Sequence, residues 1–305
     1  MASHIELVMD ANRILIDSRI ADLPKRDSKT MTSRNPESQI GSQTGSQLGL
    51  WSFGLAAIFL GVVGLAWGDF ATNWQRVEPG VPFREVLAYF AATCELLSGL
   101  AIFWRRTAQA GAIFLTILYS IFALLWVIQI FASPLVYDNW GNFFEELSLV
   151  TGGAVAVCLL APPESFWARK TALVGRLLGV CAISFGLVHF LNLSAAATWV
   201  PKWIPPGQKF WIAATGTFFW MAAAAILSGV LAALAARLLT VMIFGFEILV
   251  WIPKLLAAPH DHFNWAGNVI CIAIGAAAWV VSDSINQSGK TVRETEVAEN
   301  MTVNS

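Results

Sequence analysis

A few ionisable side chains of this sequence lie where apolar surroundings make charge costly. Glu95 and Glu247 each stand in the middle of a long apolar stretch, and His189 stands near the end of another. Apolar surroundings favour the neutral form of a carboxylic acid, which can exchange protons or hydrogen-bond a polar ligand. The alternative role is a hydrogen bond between helices. We predict that His189 and Glu95 are the catalytic residues.

The neutral imidazole of His189 both gives and accepts hydrogen bonds near physiological pH. It could accept a proton, bind a metal or donate to a quinone carbonyl, and the alternative is a structural role near a membrane interface. His260, Asp261 and His262 resemble a metal-binding tract, but two loop histidines around an aspartate are common. We therefore predict no metal site and no cofactor other than a bound quinone.

Two pairs of polar residues point to a ligand pocket. Asn142 and Glu146 are four residues apart, as are Asn264 and Asn268, so each pair shares one helix face. Trp203 belongs to a group of tryptophans on the same side of the membrane, most of which would anchor helices at the head groups. We predict that these five residues bind a ligand in a pocket between two related halves of the chain.

The composition excludes a soluble protein. Of the 305 residues 56% are apolar and 13% are charged, and the mean hydropathy is +0.62. A soluble chain has about a quarter of its residues charged. The net charge of −1 excludes a general nucleic-acid binder, and no phosphate-binding loop, dinucleotide fingerprint or hydrolase motif occurs.

Apolar stretches near the length that crosses a bilayer recur along the chain. We predict an all-α integral membrane protein with about eight transmembrane helices. The predicted spans are 49–67, 85–104, 108–131, 143–161, 173–191, 210–231, 236–256 and 265–282. Glu145 and Glu146 would occupy the opening turn of the fourth span.

The distribution of Lys and Arg predicts the orientation. With the N-terminus inside, 14 of these residues fall on the inner side and five on the outer side. We expect both termini to be cytoplasmic, with polar tails at 1–47 and 285–305. The first tail is too polar to order itself. Its apolar residues also permit an amphipathic helix on the inner leaflet, and Met31 is an alternative start.

An internal repeat organises the apolar region. Gly64-Leu65 lies opposite Gly186-Leu187 at a separation near 122, and Asn142 lies opposite Asn264. We predict two parallel four-helix repeats, at 48–163 and 164–284. The cysteines all fall inside apolar runs and have no C-x-x-C spacing, so we expect packing residues rather than disulfides.

The second repeat resembles the DoxX family of four-helix membrane proteins. The similarity rests on Gly186-Leu187-Val188-His189-Phe190, on the segment ATWVPKWIP at 197–205, and on Thr215-Gly216. The first repeat is a more divergent copy. It retains Val81-Pro82, the segment ELLSG at 95–99 and WGNFFEEL at 140–147, but it lacks the His-Phe pair.

The resemblance implies a bacterial inner-membrane protein with a quinone- or redox-associated role. DoxX relatives include a subunit associated with thiosulfate:quinone oxidoreduction. Because no residue set in this chain holds a metal or a flavin, electrons would have to come from a partner subunit. The alternatives are a small-molecule transporter or exporter, favoured by parallel repeats and intramembrane carboxylates, and a non-catalytic membrane scaffold.

Overall fold

The protein is built from helices. A computed structural model describes residues 36–303, with side chains for residues 47–287. The described part of the chain is helical and contains no strand, which confirms the all-α prediction. Contacts divide the chain into Met1–Ser42 and Gln43–Ser305, and the helices below belong to the second unit apart from the first residues of α1. The predicted features of residues 1–35, including the amphipathic helix, lie outside the described residues.

Eleven helices and one π-helical turn follow one another in the part of the chain that the structure describes. Their bounds are α1 Pro36–Trp67, α2 Arg84–Ala101, α3 Ala108–Ala132, α4 Tyr137–Leu160, α5 Phe166–Gly175, α6 Leu177–Leu191, α7 Leu193–Ala197, α8 Gln208–Ser228, α9 Ala232–Phe246, the π turn Glu247–Trp251, α10 Ile252–Ala257 and α11 His262–Val303.

Seven segments of the described chain are long and apolar enough to cross a membrane, which confirms a multi-pass membrane protein. They are Gln47–Trp67, Ala108–Ala132, Tyr137–Leu160, Phe166–Leu191, Gln208–Ser228, Ala232–Ala257 and His262–Gln287. The remaining predicted span forms helix α2. It is only 18 residues long and contains three charged residues, Arg84, Glu85 and Glu95, whereas each of the seven segments has an 18-residue stretch with at most two.

Two helices begin earlier than the sequence indicates. Helix α1 begins at Pro36, inside the predicted polar tail, because proline suits a first helical position and an apolar span extends a helix already begun. Helix α4 begins at Tyr137. The prediction that Glu145 and Glu146 occupy its opening turn was therefore wrong, and both residues lie two turns inside the helix.

Small residues let the helices pack closely. A Cβ on Gly99 of α2 would lie 2.6 Å from the carbonyl oxygen of Gly54 in α1. A Cβ on Gly152 of α4 would lie 2.5 Å from the Cβ of Ala277 in α11. Close backbone approach of this kind holds helices together where lipid supplies no hydrophobic contrast. The α4–α11 contact joins the N-terminal and C-terminal halves, and α11 is largely buried.

The same hydrogen-bonding arrangement occurs where α3 is followed by α4 and where α10 is followed by α11. The amide of Asn139 donates at 3.2 Å to the carbonyl oxygens ten and six residues earlier. The amide of Asn264 donates to the carbonyls at the same two offsets, at 3.2 and 3.3 Å. The next residues, Trp140 and Trp265, each donate an indole N–H to a proline carbonyl six residues earlier. Each of these asparagine bonds adds a second donor to a carbonyl that already accepts a backbone N–H where α3 or α10 ends, so each asparagine ties its helix to the end of the helix before it.

Candidate functional site

A loop that folds back into the helix bundle carries polar side chains to the interior. Residues 68–83 connect α1 to α2, and a φ of 62° at Gly68 turns the chain as the loop begins. A Cβ at Gly68 would lie 2.6 Å from the hydroxyl oxygen of Tyr89, so only glycine fits this turn without a shift. Four loop residues are buried: Phe70, Ala71, Trp74 and Gln75.

The two polar loop residues each bind a carboxylate. The indole Nε1 of Trp74 donates to Oε2 of Glu145 at 2.5 Å, and Nε2 of Gln75 donates to Oε1 of Glu95 at 2.5 Å. The loop is itself held by Trp126, whose indole donates to the Trp74 carbonyl at 2.8 Å. One loop therefore positions both carboxylates. Glu145 faces a cavity, and Glu95 does not.

Glu145 faces a cavity of about 150 Å³ at the centre of the bundle. Side chains from α4, α6, α8, α9, α11, the π turn and the loop form its wall. The wall residues are Trp74, Glu145, Phe185, Val188, His189, Phe219, Ile243, Phe246, Trp251, Gly267, Ile270, Cys271 and Ile274. An apolar cavity of about 150 Å³ accommodates one benzene-sized ring. The cavity thus has the size and the aromatic lining for a single six-membered ring.

His189 is the basic group of the cavity wall. Its Nδ1 atom lies 2.6 Å from the carbonyl oxygen of Phe185, and its ring packs against Phe219 and Phe246 with centroid distances of 5.3 and 6.4 Å. Because a carbonyl can only accept, Nδ1 carries the hydrogen. The neutral ring then offers Nε2 as a hydrogen-bond acceptor to a ligand.

Cys271 and Glu247 lie together beside the cavity. The Cys271 thiol donates to the Ile243 carbonyl at 3.5 Å. Glu247, which is 5% exposed, lies against this thiol but is not part of the cavity wall. All four cysteines of the chain are free thiols. The thiol is thus a neutral, weakly polar part of the wall.

A second group of buried polar side chains lies away from the cavity wall. Glu95, Glu146 and Tyr119 are each 1% exposed. Glu95 is bound by Gln75, whereas both carboxylate oxygens of Glu146 and the hydroxyl of Tyr119 have no hydrogen-bond partner. A buried polar group without a partner is costly, so this group is a candidate site for water or for proton exchange.

Of the seven residues predicted for the site, His189 lines the cavity and the other six lie elsewhere. Asn268 is buried and donates to the carbonyls of Trp251 and Asn264. Asn142 donates to the carbonyl of its own helix four residues earlier. Trp203 is 74% exposed. The structure therefore brings the predicted asparagines to helix ends rather than into one pocket.

Sequence reasoning missed most of the cavity wall. Glu145 was noted as an acidic residue in a predicted span, but it was assigned to the opening turn of a helix and was therefore not predicted to line a site. Trp74 had a weaker signal. It lies in a 16-residue connection between helices, and connections of that length are uncommon unless they have a function. Phe219 and Phe246 had no signal, because they read as ordinary aromatic residues of apolar helices.

His262, the first residue of α11, has a packing role. The ring of His262 stacks on Trp67 with a centroid distance of 5.1 Å and an interplanar angle of 12°. Among the side chains that the structure describes, those of residues 47–287, no group of three or more His, Cys, Asp or Glu is placed to hold a metal ion. The cavity itself combines aromatic walls, one hydrogen-bond acceptor and one carboxyl group, which is suited to an aromatic ring with polar substituents.

Comparisons with protein-family models, with curated proteins and with solved structures found no match for this chain.

Proposed function

We propose that this membrane protein is quinone-associated and that its central cavity binds the ring of a quinone-type ligand. The observation that carries the proposal is that His189 and Glu145 lie in the wall of one aromatic cavity of about 150 Å³. Aromatic side chains pack against a planar ring in offset or edge-to-face contacts. The two polar groups would fix the orientation of the ring substituents.

The hydrogen-bonding state of the wall favours the reduced, hydroxylated ring. With Nδ1–H of His189 committed to the Phe185 carbonyl, the neutral imidazole accepts at Nε2, so it pairs with a hydroxyl group rather than with a carbonyl oxygen. Glu145 is held by the Trp74 indole and can accept a second hydroxyl when ionised. Oxidation of the hydroxylated ring to a quinone releases two electrons and two protons. A redox partner subunit would accept the electrons, and His189 and the ionised Glu145 would each take up one proton.

We infer that the chain is a duplicated, DoxX-like protein of two parallel four-helix units. Equivalent contacts recur at nearly constant separations. Gly54 approaches the Gly99 carbonyl as Gly179 approaches the Ala223 carbonyl, which gives separations of 125 residues for the first members and 124 for the second. The Asn139 and Asn264 bonds to helix-end carbonyls are separated by 125 residues. The geometry therefore supports a repeat, but in a register that pairs Asn264 with Asn139 rather than with Asn142, which the sequence alignment placed opposite it.

The π turn accounts for a change of one residue in the separation between equivalent residues of the two units. Thr116 and Thr240 each donate to the carbonyl four residues earlier, at 2.7 and 2.9 Å, and they are 124 residues apart. After the π turn Glu247–Trp251 the separation becomes 125. A π turn is an α-helix with one inserted residue. We infer that the second unit gained one residue there.

The proposed location is the bacterial inner membrane, with both termini in the cytoplasm. The seven apolar segments support a membrane location. The excess of Lys and Arg on one set of loops supports the orientation.

Mass spectrometry of molecules that co-purify with the full chain in mild detergent tests the ring site. Wild-type protein should carry a quinone or quinol that an unrelated membrane protein, prepared identically, does not carry. Phe219→Trp should reduce this enrichment, because Phe219 is 3% exposed and lines the cavity. Phe218→Trp is the matched control, since Phe218 is 50% exposed and lies outside the wall.

Equal enrichment in both variants, with both proteins folded, would contradict the cavity as the ring site. Absence of any quinone in wild-type protein would reject a quinone-associated function.

A second function, proton-coupled transport of a small molecule, has one specific observation in its favour. Glu146 is buried with both oxygens unpartnered, beside the unpartnered hydroxyl of Tyr119. Intramembrane carboxyl groups without a partner are typical of proton relays. Proton release from reconstituted vesicles on addition of a candidate substrate, lost in Glu146→Gln, would favour transport over quinone binding.

A further inference from the structure

A second cavity lies on the outer face of the helix bundle, next to the ring site. It has a volume of about 420 Å³ and lies between α4 and α6. We call it the outer groove. Its lining residues are Pro134, Leu135, Tyr137, Trp140, Phe144, Val180, Ile183, Ser184, Leu187 and Leu191. Leu135, Ile183 and Leu191 are more than a third exposed, so the groove is open to the surrounding lipid.

The outer groove and the ring cavity share a wall. Consecutive residues of α6 face opposite sides of it: Ser184 and Leu187 line the groove, and their next neighbours Phe185 and Val188 line the cavity. On α4, Phe144 lines the groove and Glu145 lines the cavity in the same way. A ligand in the cavity is therefore separated from the groove by one pair of helices.

Gly141 leaves a gap in that wall. At about 100° of rotation per residue, it lies on α4 between the direction of the groove residues Tyr137 and Phe144 and the direction of the cavity residue Glu145. A Cβ added at Gly141 would meet no heavy atom within 4 Å. Glycine has no side chain and no other part of the protein fills the space beside it, so there is room for a hydrocarbon chain there.

The polar atoms of the groove already satisfy one another. The hydroxyl of Tyr137 donates to the Ser184 carbonyl at 2.7 Å and lies 2.9 Å from the Ser184 hydroxyl. The other lining residues are aliphatic, aromatic or proline. Both helices belong to membrane-spanning segments. The groove thus offers contacts for a hydrocarbon chain and no free group for a polar head.

We propose that the outer groove holds the hydrocarbon tail of the ligand whose ring occupies the central cavity, with the chain passing between α4 and α6 at Gly141. This inference rests on the proposed function and adds the tail to it: the ligand is an aromatic ring, hydroxylated when reduced, that carries an alkyl or isoprenoid chain. Such a ligand reaches the cavity directly from the bilayer.

Photo-crosslinking with the full chain in lipid vesicles tests the inference. The probe is a 1,4-hydroquinone with a ten-carbon chain that ends in an alkyl diazirine, and crosslinked peptides are identified by mass spectrometry. We expect crosslinks in Pro134–Phe144 and Val180–Leu191. An excess of hydroquinone without a tail should reduce them about tenfold, because it occupies the cavity and releases the tail.

Two pairs of variants localise the tail and its path. Leu187→Trp fills the groove and should move the crosslinks elsewhere, whereas Leu177→Trp changes a lipid-facing residue of the same helix, 40% exposed, and should not. Gly141→Phe should block the passage. Gly245→Phe is its control, since a Cβ at Gly245 in α9 would also meet nothing within 4 Å. Retention of helical content in each variant shows that it folds.

The outcomes separate this inference from the proposed function. If the tailless hydroquinone shows no binding by any measure, the ring site itself is rejected. If the ring compound binds but crosslinks lie outside the groove, the tail inference is overturned and the function stands. Crosslinks that persist at full strength under tailless competitor also overturn it, because the groove would then hold any membrane acyl chain. A change of oligomeric state in Leu187→Trp would assign the groove to a second copy instead.

Discussion

Gly152 of α4 and Ala277 of α11 meet with no room for another carbon atom: a Cβ on Gly152 would lie 2.5 Å from the Ala277 Cβ and 2.8 Å from its Cα. The two residues are 125 apart, the separation that relates equivalent residues in the duplication we infer. Equivalent residues of two copies touch each other only near the axis that relates the copies. In the duplication that we infer, the Gly152–Ala277 contact therefore lies at the axis between the two units.

The first prediction concerns this contact. Gly152→Ala should destabilise the protein by about 1–3 kcal/mol, the usual cost of overpacking a tight contact. Adding Ala277→Gly should recover part of the loss, because the second change removes the carbon atom that clashes. Thermal unfolding in detergent measures both. Gly141→Ala, at a helix position with open space, should be neutral or slightly stabilising, and an equal loss in both single variants would contradict the prediction.

The second prediction concerns the two asparagines at the helix ends. Asn139→Ala and Asn264→Ala should each lower the unfolding free energy by about 0.5–2 kcal/mol, since each removes two hydrogen bonds that tie one helix to the end of the preceding helix. The two losses should be similar, because the geometry of the bonds is the same. Asn142→Ala should have a smaller effect. Its amide bonds only to its own helix, and a loss as large as the other two would refute this distinction.

The third prediction separates the buried carboxyl groups. Glu95→Leu should cost about 1–3 kcal/mol, because it leaves the buried Gln75 amide without an acceptor. Glu146→Leu should be neutral or stabilising, since both oxygens that it removes are unpartnered. Parallel melting curves of the two variants decide the matter. A strongly destabilised Glu146→Leu protein would show that Glu146 has a structural partner, such as a bound water molecule.

A fourth prediction concerns the cavity base. His189→Phe keeps the ring contacts with Phe219 and Phe246 but removes Nε2, so the fold should persist while affinity for a tailless hydroquinone falls about tenfold, the value of one lost hydrogen bond. Titration calorimetry of the purified full chain provides the measurement. His262→Phe is the control, because His262 stacks on Trp67 away from the cavity. Unchanged affinity in His189→Phe would remove His189 from the site.

The fifth prediction concerns the π turn. Deletion of Ile248, which is 64% exposed, should convert the turn into regular α-helix and leave the residues after it in place, so the protein should remain folded. Deletion of Leu238, 60% exposed within α9, should disrupt the helix, because every later residue would rotate by about 100°. Yield of monodisperse protein after solubilisation reports the difference. Equal tolerance of both deletions would argue against a one-residue insertion at this turn.

The sequence predicts the membrane helices well, because apolar length is a local property of the chain. Seven predicted spans correspond to apolar helices of the structure. The helix boundaries were less accurate: Pro36 and Tyr137 start helices in polar surroundings, where hydropathy gives no signal. The ligand site was predicted least well. His189 was identified from its polarity and position. The bond from Trp74 to Glu145 joins residues 71 apart in the sequence, and hydrophobic periodicity does not predict that a loop folds into the bundle.

In the duplication that we infer, separations of 124 and 125 residues place Glu95 opposite Phe219, Tyr119 opposite Ile243 and Glu146 opposite Cys271. Phe219, Ile243 and Cys271 line the open cavity, whereas Glu95 binds the amide of Gln75 from the loop 68–83. In that duplication, the loop fills one of two equivalent positions with a side chain of the protein itself. We therefore expect a binding stoichiometry of one ligand per polypeptide, not two.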